Sequence, residues 1–310
     1  MEVTVLGATG TAGRSALPAL SAAGHAVRAH ARTDAGAEMV TALGATAVRG
    51  DTEALEALRD LITGSDAVID LRVAIPPASR APLPWAWREY SRLRGIGAGT
   101  LVEAALAARV PRLVHDTVTM VYADGGNGLL DEDSRVLAPG ALQANLLAER
   151  HLARFTASGG AGVALRFGAF YGPHDEFSRD LIGAARRGRG MVVGAPDAWT
   201  SAVHTDDVGP ALLVALTAPA GVYNAVDDEP LRRRDVLAVL AEAAGISRVR
   251  PLPSWTVRAA VAPVRALARS QRVSAARFRA LGWQPTVPSR REGWPRAFRE
   301  AEERTAAGGR

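Results

Sequence analysis

The sequence contains no cysteine and no lysine: all 37 of its basic residues are arginines. Without cysteine there can be no disulfide, no thiolate metal ligand and no thiol nucleophile. Without lysine there is no amine to form a Schiff base and no ammonium to lower the pKa of a neighbouring tyrosine. Although 48% of the 310 residues are hydrophobic, no apolar run approaches the length that crosses a bilayer. The six histidines are scattered, with no HExxH-type spacing, so no metal is expected. The chain runs directly into an apolar strand at Val3–Leu6, with no basic leader region, and a cytoplasmic location is expected.

A formal net charge of +5 raises the question of nucleic acid. The arginines are dispersed, however, with only short clusters such as Arg232-Arg233-Arg234, and no aromatic residues interleave with them. Arginine in place of all lysine, with abundant Ala and Gly, reads as the coding bias of a GC-rich bacterium. The partner expected is a small molecule, with neither nucleic acid nor membrane; a homodimer through the long central helices is a further possibility.

Strand-length apolar runs alternate with helical segments, which is the signature of βα units and a parallel sheet. Strands are expected at Val3–Leu6, Ala26–Ala31, Thr46–Arg49, Ala67–Leu71, Arg112–Thr117 and Gly162–Phe167. Helices are expected between them, including one long helix over Trp85–Ala108 and another over Leu142–Ala157. The fold class is α/β: a doubly wound parallel Rossmann sheet with a second, smaller, mainly helical lobe for substrate. Residues 1–168, continued by 201–226, are read as the nucleotide-binding domain, and 169–200 with 227–310 as the lobe.

Gly7-Ala8-Thr9-Gly10-Thr11-Ala12-Gly13 leaves the first strand and opens a helix. Gly7 allows the tight turn, Gly10 lets backbone approach a pyrophosphate, and Gly13 lets helix and strand pack closely. The helix N-terminus offers free N–H groups to the phosphates. At the end of the second strand, where an NAD binder carries an acid for the ribose hydroxyl, the chain has Arg32, which suits the 2′-phosphate of NADP. NADP is therefore expected in preference to NAD. Asp51 and Thr52, past the third strand, can cap the next helix or contact adenine, and Leu71 and Arg72 follow the fourth strand into the same crevice.

These motifs resemble the extended short-chain dehydrogenases/reductases of the epimerase/dehydratase branch. The resemblance extends through Met120-Val121-Tyr122, Arg166 with Tyr171-Gly172-Pro173, Val203-His204-Thr205-Asp206-Asp207-Val208, Val222-Tyr223-Asn224 and Gly282-Trp283-Gln284-Pro285. It implies a Rossmann lobe and a helical lobe closing over substrate. At the family's catalytic places the chain departs from the pattern. Counting from Glu149, Ala141 stands at the tyrosine of YxxxK and Asn145 at its lysine. Val118 stands at the Ser/Thr position, Ile96 at the asparagine of the central helix, and Ala169 at the substrate-side asparagine. In the family that tyrosine exchanges a proton with the substrate oxygen and the lysine depresses its pKa. Asn145 can still hydrogen-bond the nicotinamide ribose.

Replacement chemistry has several candidates. Thr117 and Thr119 can bind a substrate oxygen or merely fill a strand. Arg72 can hold a carboxylate or an enolate oxygen. His174, beside Asp175 and Glu176, can act as a general base or belong to a solvated loop. Tyr90 can line the pocket from a helix. Three functions are compatible: NADP(H)-dependent redox on the carbonyl or alcohol of a small specialised metabolite with a relocated acid/base; a non-redox isomerase, dehydratase or cyclase; or a non-catalytic NADP-responsive regulator.

Overall fold

Val3, Val5 and Leu6 in the first strand, and Ala67, Val68 and Ile69 in the fourth, are wholly buried on both sides. Strands this uniformly apolar need a helix layer on each face. A computed structural model, which describes residues 1–77, 79–253, 255 and 260–308, has that arrangement. β1 (Glu2–Leu6), α1 (Thr11–Ala22), β2 (Ala26–His30), α2 (Asp34–Ala42), β3 (Thr46–Val48), α3 (Leu55–Ile62) and β4 (Ala67–Asp70) alternate as anticipated. α4 (Arg88–Ser91), α5 (Ala98–Ala107), β5 (Arg112–Val118), a short β6 (Leu129–Leu130), α6 (Gln143–Ala157) and β7 (Ala161–Phe167) continue the pattern. Then come β8 (Ala169–Tyr171), α7 (Glu176–Arg186), β9 (Trp199–Thr200), β10 (Ala202–His204), α8 (Val208–Ala215) and β11 (Gly221–Ala225).

The central sheet has seven strands in the order β11-β7-β5-β4-β1-β2-β3, every neighbouring pair parallel. The chain reverses direction across the sheet between β1 and β4. That is the switch point beyond whose carboxyl ends such sheets bind ligands. One face is covered by α1 and α8, which pack so closely that a Cβ on Gly209 would come within 2.5 Å of the Ser15 carbonyl oxygen. The other face buries Leu58, Ile62, Leu101, Val102, Leu152 and Phe155 from α3, α5 and α6. Past β11, α9 (Arg233–Ala243) and the terminal helix Arg290–Gly308 join α7 around a separate apolar cluster that includes Tyr171, Leu240, Trp294 and Phe298.

The single long helix expected over Trp85–Ala108 is broken. A 3₁₀ turn (Pro84–Trp87) leads into α4, and a π-helical turn (Arg92–Gly97) separates α4 from α5. Tertiary bonds account for the widened turn. Arg94 points inward onto Asp116, and the Gly97 carbonyl is drawn toward Arg72, which donates to it at 3.1 Å. Wider turns of this kind recur at functional sites. Here the turn lies over the carboxyl ends of β4 and β5.

Candidate active site

The loop Gly7–Gly13 has the geometry its sequence implies. Gly7 has φ +75°, and a Cβ there would lie 2.5 Å from the carbonyl carbon and oxygen of Leu71. A Cβ on Gly13 would lie 2.2 Å from the Ala8 oxygen, so only glycine allows the first turn of α1 to sit on the strand end. Gly10 caps α1 with no side-chain hydrogen bond, and no acid occupies the first turn. The N–H groups of that turn are therefore left to an external anion. A backbone cradle of this shape fits the pyrophosphate of a dinucleotide.

Past β2, Thr33 caps α2 by accepting from the Gly36 N–H at 3.1 Å. A Cβ on Gly36 would come within 3.3 Å of the Thr9 methyl, so the loop and the start of α2 adjoin. Arg32 is exposed between them, with no hydrogen-bond or ion-pair partner among the described residues. Arg49 donates to Asp34 at 2.6 Å, so the acid two residues along the chain is already engaged. Asp51 accepts from the Glu53 N–H at 2.8 Å in the turn ahead of α3, whose N-cap is Ala54 with no side-chain hydrogen bond, so Asp51 is not the cap of that helix. The Thr52 carbonyl accepts from Arg72 at 2.7 Å.

Arg72 requires a correction. It was expected to face substrate, but its guanidinium is used internally. It donates to both oxygens of Asp70, at 2.7 and 2.8 Å, and to the carbonyls of Thr52 and Gly97. His115 Nδ1 lies 3.2 Å from the same carboxylate. All three side chains are buried. Burial alone would push the Asp70 carboxyl up, but the Arg72 charge and these hydrogen bonds hold it well below the usual carboxylate range. The group is a buried ion pair at the ends of β4 and β5, and four of the five guanidinium N–H groups are engaged within the protein.

Thr117 is also internally engaged. Its hydroxyl donates to Glu149 at 3.3 Å and lies 3.4 Å from the Leu165 carbonyl. Glu149 receives two 2.7 Å bonds from Arg166, which donates at 2.9 Å to Tyr122, whose hydroxyl donates to Asn224 at 2.8 Å. Tyr122 is thus committed to packing, as is Tyr223, which donates to the Pro219 carbonyl at 2.9 Å. Thr119 is buried in the turn Thr119–Val121. His174 stands apart from this group, exposed, with Arg304, Asp206, Glu300 and Arg14 as its charged surroundings. Partial burial, then Arg304, lower its pKa, and nothing brings it to Thr117 or Thr119.

At the lysine place, Asn145 is fully buried, and its Nδ2 donates to the Tyr90 hydroxyl at 2.8 Å and to the Leu142 carbonyl at 3.1 Å. Tyr90 shares an apolar cluster with Leu142, Val121, Val118 and Ala141. Arg94, one turn along, is buried and donates to Asp116 Oδ1 at 2.6 Å, to its Oδ2 at 2.8 Å and to its backbone carbonyl. The sequence reading did not single out Arg94. The available signal was its i+4 spacing from Tyr90 on an otherwise apolar helix face.

Comparison with known proteins agrees with this geometry. Residues 7–219 match the model of the NAD(P)H-binding family, and the chain belongs to that family, among the epimerase/dehydratase-like short-chain dehydrogenases/reductases. It is 34% identical to a 3-diazoavenalumate denitrifying reductase of a Streptomyces species, over 94% of this chain and 99% of that protein. It is 32% identical to the 4-hydroxy-2-methyl-3-oxo-4-farnesyl-3,4-dihydroquinoline-1-oxide ketoreductase of Stigmatella aurantiaca, over 84% of this chain and 78% of that one. The structure of MoeE5 in complex with UDP-glucose and NAD aligns with a TM-score of 0.79 at 25% identity, covering 99% of this chain and all of the other. No helix among the described residues is long and apolar enough to cross a membrane, and no cluster of metal-ligating side chains occurs among them.

Proposed function

We propose that the chain is an NADP(H)-dependent reductase of a small specialised metabolite, acting on a carbonyl with an acid/base other than the usual Tyr–Lys pair. One observation carries this reading: the phosphate cradle of Gly7, Gly10 and Gly13 is sterically intact, while the proton-handling positions have become Ala141, Asn145 and Val118. Gly7 and Gly13 shape the turn through contacts within the protein, whereas no contact in the protein requires glycine at position 10, where a bare backbone suits the approach of a pyrophosphate. The names of two relatives, a denitrifying reductase and a ketoreductase, support redox over isomerisation.

In this reading Gly7, Thr9, Gly10, Thr11, Ala12 and Gly13 hold the pyrophosphate, and Arg32 holds the 2′-phosphate. Leu71 and Asn145 border the nicotinamide half. The bound nicotinamide supplies or accepts hydride. The protein holds the two reactants together, excludes water and manages the proton. Arg32 carries the preference for NADP because it is unpaired while Asp34 is held by Arg49.

A second reading is favoured by the missing Tyr–Lys pair and by the diazo compound in one relative's name. A cationic acceptor such as a diazonium is neutralised by hydride itself and needs no proton donor. The test is NADPH oxidation followed by absorbance, with a panel of aromatic ketones and an arenediazonium as acceptors. Consumption with ketones supports the first reading, and consumption with the diazonium alone supports the second. No consumption with either returns the chain to the non-redox alternatives.

A further inference from the structure

We propose that Tyr90, presented by α4 rather than α6, is the proton donor of this site. The inference rests on the reductase reading above and deepens it.

Three observations converge on the Tyr90 hydroxyl. The first is its place. The π-helical turn after α4 lies over the carboxyl ends of β4 and β5, held there by Arg94 on Asp116 and by Arg72 on the Gly97 carbonyl. Those strand ends adjoin the dinucleotide loop, since Gly7 is packed against the Leu71 carbonyl. Tyr90 lies in the cluster that contains Val118, Ala141 and Leu142. A small residue at 141 leaves room there that a tyrosine from the facing helix fills.

The second is its open valence. The Asn145 amide is oriented by two acceptors, the Leu142 carbonyl and the Tyr90 oxygen, both of which it donates to through Nδ2. Asn145 Oδ1 is consequently buried with no partner. The phenol accepts one hydrogen bond, and its own hydrogen meets no acceptor among the described residues. One free donor and one free acceptor therefore lie side by side in a buried place. Such a pair rarely goes unused and suits a ligand group with oxygen and hydroxyl character.

The third is charge. Burial raises the Tyr90 pKa above its ordinary value, and the Asp116 charge adds to that; the buried Arg94 guanidinium and the Asn145 hydrogen bond oppose it only in part, so the phenol is protonated at neutral pH. A neutral phenol with a nearby cation is suited to donating a proton and bearing the resulting charge briefly. The Arg94 charge, although paired with Asp116, favours the charge that the phenol bears once its proton has left.

In the step, the carbonyl carbon receives a hydride originating from NADPH while the π electrons pass to oxygen, and that oxygen takes the Tyr90 proton. The phenolate is reprotonated from solvent after product leaves. The balance is R₂C=O + NADPH + H⁺ giving R₂CHOH + NADP⁺.

Two measurements test the assignment. With the ketone that wild type reduces, Tyr90→Phe should lower kcat about a hundredfold, the usual worth of a general acid, with KM and NADPH affinity within about threefold. The high-pH fall in rate should also disappear. Unchanged turnover and pH profile in a folded Tyr90→Phe protein would overturn the proposal while leaving the reductase reading intact. Independently of activity, tyrosine labelled with ¹³C at Cζ gives four signals, assigned by single Phe substitutions at the four sites. Addition of NADP⁺ should shift the Tyr90 signal and leave those of Tyr122 and Tyr223 in place. A Tyr90 signal indifferent to NADP⁺, in a protein that binds it, contradicts the proposal even if no reducible substrate is found.

Discussion

Gly7 and Leu71 touch through their backbones: a single added carbon on Gly7 would sit 2.5 Å from the Leu71 carbonyl. Gly10 has no such constraint, because its Cβ would meet only the Gly7 oxygen, at 3.4 Å, and its φ of −77° is ordinary. The two glycines therefore fail differently. Gly7→Ala should destabilise the apo protein, through positive φ and collision together, by about 1–3 kcal/mol. Gly10→Ala should leave apo stability within roughly 0.5 kcal/mol of wild type, yet weaken NADP binding at least tenfold. Thermal unfolding and calorimetric titration of both variants check this.

Arg32 is exposed, with no hydrogen-bond or ion-pair partner among the described residues, and is proposed to hold the 2′-phosphate. Arg32→Ala should weaken NADP binding about tenfold or more, roughly 1.4 kcal/mol, and change NAD binding by less than about twofold. Equal losses for both cofactors would remove the 2′-phosphate from the account.

The Asp70–Arg72 pair predicts a stability effect. Arg72→Met leaves a buried carboxylate with His115 and the backbone N–H of residue 72 beside it but no cation paired to it, and should cost about 3–5 kcal/mol. Turnover per folded molecule should change far less than stability. Chemical denaturation alongside active-site titration separates the two.

Much of this architecture is legible in the chain. The alternation of apolar strand and amphipathic helix gives the parallel sheet, and Gly7, Gly10 and Gly13 mark the cofactor turn, because both signals are local. The pairings that define the reactive end are long-range. Tyr90 and Asn145 are 55 residues apart, and Arg94 and Asp116 are 22 apart. No periodicity encodes either. The same bonds override local helix preference at Arg92–Gly97. The role of Arg72 is hidden in the sequence for a related reason. A charged residue after a strand looks free until its carboxylate, two residues back on that same strand, is seen to fold onto it.

Asp227 offers a pH test. It is buried, neither carboxylate oxygen has a hydrogen-bond partner in the described structure, and Arg290 Nε is 4.0 Å away. Burial, opposed mainly by Arg290 and reinforced by Glu229 and Asp207, pushes its pKa up to about 7. The folded value thus exceeds the unfolded value of about 4. This group's contribution is full below about pH 4 and is lost as pH rises toward 7. Asp227→Asn should remove that slope, so the Tm of wild type should fall relative to the variant between about pH 4 and 7. Parallel Tm curves would contradict the assignment.

The central claim is that the dinucleotide is a reactant. Its most direct test is a single turnover with NADPH carrying deuterium at the transferable C4 position, using the acceptor the panel identifies and reading the product by mass spectrometry. The account predicts one deuterium in the product for each NADPH oxidised. Product formed without deuterium, or with no loss of NADPH, would contradict it.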